Sequence, residues 1–403
     1  MANTILTHQI VAREAAKILS EEMAFIMNVN KNREADLGKN ITGYRTGDSV
    51  KIKVPPASTV YTGSNFAGGA SAPDQTESYV TLTLGTQKHV PLTFTAIEKA
   101  LKLEEFSDRF LKPAISTLCS SVQADMLTKI YSQIPNSVGT AGTVPNSAKT
   151  YSQARANLQR FLAPETPRTL LFSSDANVEL VDASKALFNP NKAISDQFMK
   201  GYVASYGGFD FYECQNLPSH TVGNKVASVQ VNGASQTGST LSIKGLAASD
   251  TFKKGQIFTI ANVYAVHPLT GAALPNLRQF VVTADATSAG ATLSISISPA
   301  INATGPGATV SALAADSAAL TFVGNASTSY RQNIGWQRDA IATAFAPLPV
   351  LASCEGYTFD ADGISIRVMT FGDGKLDQES TRIDVLYADP VLVRPDHAIR
   401  ITE

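Results

Sequence analysis

A chain of 403 residues exceeds the usual size of one hydrophobic core, so two or three compact units are expected, one of them able to interrupt another. Its 33 Lys plus Arg nearly cancel 34 Asp plus Glu, and no basic stripe runs along the chain, which argues against a dedicated nucleic-acid binder. Charged residues make up only 17%, a proportion that suits a surface largely covered by neighbours, and no apolar stretch reaches the length that spans a bilayer.

The three cysteines, Cys119, Cys214 and Cys354, are far apart and include no C-x-x-C pair, so they are read as reduced residues of a cytosolic protein. The first residues, MANTILTHQIVAREAAKIL, lack the apolar core of a signal peptide. Synthesis and action in the cytoplasm are therefore expected.

In residues 9–29 the apolar positions Val11, Ala15, Ile18, Leu19, Phe25 and Ile26 recur at helical spacing among Arg13, Glu14, Lys17, Glu21 and Glu22. This amphipathic helix needs a partner surface, either on its own subunit or on a separate protein. GDSVKIKVPP alternates like a half-buried strand and stops at two prolines. A Ser, Thr, Gly and Ala-rich stretch, residues 57–77 with Gly68 and Gly69 at its middle, precedes renewed alternation in SYVTLTL and KHVPLTF, which predicts an extended hairpin with a long tip. Over residues 107–134, Ile115, Leu118, Val122, Met126, Ile130 and Ile134 fall three or four apart, a long spine helix with Ser107 as N-cap and a kink at Pro113.

SQARANLQRFL then reads as a helix, RTLLFSS as a buried strand and SDANVELVDASKALF as a helix capped by Ser174 or Asp175, a mixed α/β unit closing near Gly223. Between residues 226 and 324 the alternating runs TLSIKGL, GQIFTIANV, RQFVVTA and ATLSISIS, separated by turn residues, predict a small β-barrel or sandwich. Helical and mixed patterns return at SYRQNIGWQRDAIATAFAPL, so the β unit is expected to interrupt another domain. GISIRVMTF, TRIDVLY and HAIRIT end the chain as strands, with a turn at DADG.

The five histidines, His8, His89, His220, His267 and His397, show no metal-ligand spacing. Walker, nucleophile-elbow and dinucleotide motifs do not occur, so neither enzyme chemistry nor a cofactor is expected. Asp360 with Asp362, and Asp373 with Asp377, have the closeness of calcium ligands but not the spacing of a calcium loop, and solvated turns are the better reading. Trp336, with Ile341 and Phe345, is assigned to packing.

The order of these pieces resembles the HK97-like phage capsid fold, an α+β fold with N-arm, E-loop, peripheral domain with spine helix, and axial domain, here carrying an inserted small β-barrel domain. EEFSDRFLKPAISTL, GFDFYECQNLPSHTVG, KKGQIFTIANVYAVHPLTG, RQFVVTADA, YRQNIGWQRDAIATAFAPL and TRIDVLYADPVLVRPDHAIRI look like the P22-type coat proteins of tailed phages. The resemblance implies an N-arm at 1–40, the E-loop and flanking strands at 41–95, and the peripheral domain at 96–148. The axial domain falls at 149–223 and 326–352 around an insertion at 224–325, with peripheral strands from 353 to 403.

It also implies the function of a major capsid protein, a non-enzymatic homo-oligomer forming pentamers and hexamers of an icosahedral shell in the virion. Partners would be a scaffolding protein during assembly, a portal protein at one vertex, and packaged double-stranded DNA by non-specific contact. The E-loop tip, Ser64, Asn65, Phe66, Gly68 and Gly69, would reach a neighbouring subunit. The helix bearing Arg13, Glu14, Lys17, Glu21 and Glu22 would contact the scaffold. In the type member a long charged loop bridges capsomers, whereas residues 233–239 here read only GASQTGS. Residues 267–279, with His267, Leu269, Leu274, Leu277 and Arg278, keep the length of the family's second insertion-domain loop and are the better candidate for a structural role. The rival readings are a tail or decoration protein, and a polysaccharide hydrolase. The latter needs a carboxylate pair in a cleft, for which the insertion offers mainly Asp250, Asp285 and Asp316.

Overall fold

The computed structural model describes residues 12–13, 15, 17, 23–31, 49–55, 58, 64, 77–95, 112–184, 205–305, 307–361, 363–373 and 378–403. In chain order, β1 (Ser49–Val54) and β2 (Ser78–Thr95) precede helix α1 (Lys112–Tyr131). Next come β3 (Ser137–Val138), α2 (Ala148–Arg160), β4 (Arg168–Phe172), α3 (Ser174–Ser184), β5 (Ser205–Tyr206), β6 (Phe209–Glu213) and β7 (Ser219–Thr221). A run of short strands follows: β8 (Gln230–Val231), β9 (Gly238–Lys244), β10 (Thr251–Phe252), β11 (Ile257–Val266), β12 (Ala273–Val282), β13 (Ala286–Thr287), β14 (Thr292–Ile301) and β15 (Leu320–Phe322). The chain closes with β16 (Ser329–Gln337), β17 (Ile341–Ala342), β18 (Glu355–Ala361), β19 (Ile364–Asp373), β20 (Gln378–Ala388), β21 (Val391–Leu392) and β22 (Ala398–Thr402).

Two compact units result. The first gathers Met1–Ile52, Thr81–Lys129 and Ile341–Val391, and the second Lys53–Val80, Ile130–Ala340 and Leu392–Glu403.

A sheet in the order β1-β2-β20-β19-β18 frames the first unit. Ile366 faces Val385 and Val368 faces Ile383 across the β19–β20 ladder, all four buried, so period-two patterning supplies the apolar face. SYVTLTL and KHVPLTF are one continuous strand, β2, whose ladder with β20 shifts register between Leu84 and Thr86. A bulge absorbs the break at Gly85 that local alternation left open.

In α1, Ile115, Leu118, Val122 and Met126 are buried three or four apart, as the spacing predicts. Pro113 sits in the first described turn, where a missing N–H costs little, and the cap expected at Ser107 lies outside the described residues. The helix ends at Tyr131 and not at Ile134, because Ile134 precedes Pro135 and is driven out of the helical region. Lys129 ties the helix to the sheet through Asp125 at 2.8 Å and Asp389 at 2.7 Å, and the Tyr387 hydroxyl donates to Asp125 at 2.7 Å.

The second unit contains a mixed sheet, β3-β22-β16-β4-β6-β5, with β7 also paired to β16. The β4–β6 and β22–β3 pairs are parallel. Every residue of β4 is buried, as expected of a strand covered on both faces. Helix α2 lays Tyr151, Ala154 and Leu158 on a core with Phe172, Phe211, Ile399 and Ile401, and Ser147 Oγ caps it by accepting from Lys149 N at 3.2 Å. The cap of α3 is Ser173, whose Oγ accepts from Ala176 N at 3.0 Å, rather than Ser174 or Asp175. The helix simply begins one residue earlier than its polar run suggested. SYRQNIGWQ is strand β16, and Trp336, Ile341 and Phe345 are fully buried.

Six of the remaining strands of this unit close a ring, while β10 and β13 pair separately. The ladder order of the ring is β15-β11-β12-β14-β9-β8, and β8 returns to β15 through Val231 N to Ala318 O and Leu320 N to Val229 O, both 2.9 Å. Val231, Leu241, Ile243, Phe258, Ile260, Phe280, Ile295 and Ile297 fill its interior, which makes it a barrel with its own core. The chain leaves the mixed sheet at β7 and rejoins it at β16, and these two strands pair directly, Thr221 opposite Ser329 and His220 opposite Tyr330.

Candidate functional site

Among the E-loop candidates, Ser64 is described and exposed, whereas Asn65, Phe66, Gly68 and Gly69 lie outside the described residues. Arg13 and Lys17 are helical and exposed; Glu14, Glu21 and Glu22 lie outside. The Arg13 guanidinium stands 5.8 Å from the Phe359 ring centroid, so one face of this helix engages its own subunit.

Residues 267–279, expected as a loop, are mostly strand. β11 and β12 form a hairpin with Tyr264 opposite Leu277 and Val266 opposite Ala273, which places Leu274, Leu277 and Arg278 on β12. Strand β12 contains Pro275. It is tolerated because β12 pairs with β14 only at Val281 and Val282, leaving its first part an edge. The true turn is short: His267 N donates to Ala272 O at 2.8 Å, and His267 Nδ1 accepts from Leu269 N and Thr270 N at 3.3 Å. This bonding fixes the tip and leaves Leu269 77% exposed.

Arg278 serves a different purpose. Its side chain is 2% exposed, bonds Asp396 Oδ1 at 2.6 Å and stacks 4.9 Å from the Phe161 ring centroid. Beside it, Gln279 and Ser137 exchange two hydrogen bonds, Ser137 N to Gln279 Oε1 at 2.8 Å and Gln279 Nε2 to Ser137 O at 2.9 Å. Arg400, fully buried in β22, donates to Gly255 O at 2.8 Å, and Gly223 N donates to Gln256 Oε1 at 3.3 Å. These contacts form a polar seam that fastens the barrel to the mixed sheet within the second unit. Burial lowers the Arg400 pKa to about 9, so it remains a cation at neutral pH.

A second buried charge sits in the first unit. Asp384 is fully buried, and both its oxygens are saturated: Oδ2 accepts from Arg367 Nε and Nη2 at 3.2 and 2.9 Å, and Oδ1 from Arg382 Nε at 2.7 Å and Gln87 Nε2 at 2.9 Å. Sequence reasoning passed over Asp384, Asp396 and Arg400. The available signal was a charge inside an otherwise apolar strand, as in TRIDVLY and HAIRIT.

Among the described residues no group of three or more His, Cys, Asp or Glu is placed to hold a metal ion. Asp360 lies in the β18–β19 ladder opposite Ser365, and the chain reverses just beyond Ala361, where Gly363 takes φ +73°. Asp362 and Asp377 lie outside the described residues. Cys119 and Cys214 are buried, Cys354 is half-buried, and no disulfide joins any of the three.

Buried charges thus brace an internal seam, and the hairpin tip exposes an apolar side chain at Leu269. The chain belongs to the family described as P22 coat protein - gene protein 5, whose profile matches residues 29–401. That family is structural, and the chain is accordingly a tailed-phage major capsid protein, a component of the virion. Among solved structures it is similar to one from Mycobacterium phage Che8, with 12% identity, TM-score 0.47, and coverage of 94% of this chain and 90% of that one. It is also similar to the capsid structure of the Cyanophage P-SCSP1u, with 9% identity, TM-score 0.45, and 88% and 83% covered. The mature capsid of bacteriophage PhiM1 gives 10% identity, TM-score 0.42, and 88% and 82% covered. No curated protein matches the sequence.

Proposed function

We propose that copies of this chain assemble as pentamers and hexamers into the icosahedral head of a tailed phage, acting through subunit contacts and not through catalysis. The family match across residues 29–401 carries this reading. On it, the subunit is an HK97-like capsid fold and residues 224–325 are an inserted barrel domain. The direct pairing of β7 with β16 supports the insertion, because a tolerated insertion needs its two ends side by side.

The E-loop tip around Ser64 reaches a neighbouring subunit, and the N-arm helix bearing Arg13 and Lys17 meets a scaffolding protein during assembly in the host cytoplasm. A portal protein occupies one vertex, and packaged DNA touches the inner surface without sequence readout. The hairpin tip at Leu269 braces the shell, taking the structural role that the shortened stretch at residues 233–239 is too short to fill. Electron microscopy of the protein expressed with and without the adjacent scaffold gene tests the assembly: closed shells of uniform diameter are expected. Tubes, rings or monomers under every condition would transfer the assignment to a tail component.

A further inference from the structure

Beside the seam lies a small cavity that its direct hydrogen bonds leave unused. It measures about 10 Å³ and is lined by His220 from β7, Tyr330 and Gln332 from β16, Arg400 and Thr402 from β22, and Gly255 ahead of β11. Two of these lining residues each carry a buried polar atom with no protein partner, Arg400 Nε and His220 Nε2, and the residues are 1% and 6% exposed. Both groups pack on Tyr131, the His220 ring at 5.8 Å between centroids and the Arg400 guanidinium at 5.7 Å from the ring centroid. Neither group is therefore free to swing toward solvent for a partner.

We propose that this cavity is a binding site for one ordered water, which accepts from the Arg400 Nε–H and donates to His220 Nε2. The volume corresponds to about one water. The chemistry is also matched, since guanidinium nitrogen only donates and a neutral imidazole nitrogen accepts, so a molecule able to do both completes the pair. Burial, reinforced by the Arg400 charge, lowers the His220 pKa to about 3, which keeps the ring neutral and its lone pair available. A small anion would instead require the Nε2–H tautomer of His220, and bringing its charge out of water into the seam carries a desolvation cost that a water molecule does not. The water joins β7 and β22 beside Gly255, whose carbonyl Arg400 already holds.

A structure of the full chain in assembled shells, at a resolution that shows ordered water, should place a peak within hydrogen-bond reach of both atoms. Crystals or shells in bromide should give no anomalous signal there. A bromide peak, or an unfilled cavity, overturns the assignment. Thermal melts at one scan rate supply an independent test. His220→Leu should lower Tm by roughly 2–4 °C, and His220→Gln, which restores an acceptor near Nε2, should recover at least half of that loss. Equal losses in the two variants would reduce His220 to a packing residue and overturn the water bridge.

Discussion

Gly255 shows how a single residue can be required by two independent constraints. Its φ is +91°, which strains any L side chain, and a Cβ there would meet Ser132 Cα and a Tyr131 ring carbon at 3.2 Å, close enough that these neighbours would have to give way. Gly255→Ala should cost about 1–3 kcal/mol, measured by chemical denaturation, with retained stability contradicting the seam as described. Asp384 is the opposite case, a charge that is viable only because four donors surround it. Asp384→Asn leaves Arg367 and Arg382 facing a neutral group and should cost about 3–5 kcal/mol in the same measurement. Arg278→Ala should cost less, about 1–3 kcal/mol, because Asp396 is 32% exposed and water can re-solvate it.

Where elements meet, the α1 contact with the first sheet is sensitive to pH. Burial pushes the Asp125 carboxyl up, but hydrogen bonds from Lys129 and Tyr387 outweigh it and hold its pKa below the ordinary 3.8. A depressed folded-state pKa means that this stabilisation is fully present above about pH 4 and lost as pH falls through the folded value. Lys129 is raised above 10.5, since burial, which lowers it, is outweighed by the bonds to Asp125 and Asp389; its share is present below that pH and fades only at higher alkalinity. The acid limb of stability below pH 4 should therefore flatten in Asp125→Asn. An unchanged limb would show that the helix anchor contributes nothing. Strand identities in this region were legible from alternation alone. The continuity of β2 was not, because a bulge at Gly85 depends on the partner strand β20 and not on local pattern.

For the whole molecule, the closed ring β15-β11-β12-β14-β9-β8 carries its own apolar core. Residues 224–325 expressed alone should give a dispersed amide spectrum, and a collapsed spectrum would mean that the seam is needed for folding. Replacing the exposed Arg13 and Lys17 by Ala should leave the subunit folded while lowering the yield of closed shells. An undiminished yield would remove the N-arm from assembly.

The sequence by itself determined most of the described strands and helices and the family that the order of phrases resembles, although SYRQNIGWQ, which reads as helical or mixed, is strand β16. These are properties of periodicity and turn chemistry, which act over a few residues. Only the tertiary structure decided that residues 273–279 are strand, that Arg278 pairs with Asp396, and that Arg400 and His220 share one cavity. A buried charge is stable only beside its partner, and those partners lie 118 positions away for Arg278 and 145 for Arg400. No local pattern encodes a pairing made across that distance, because folding brings such groups together through the packing of everything between them.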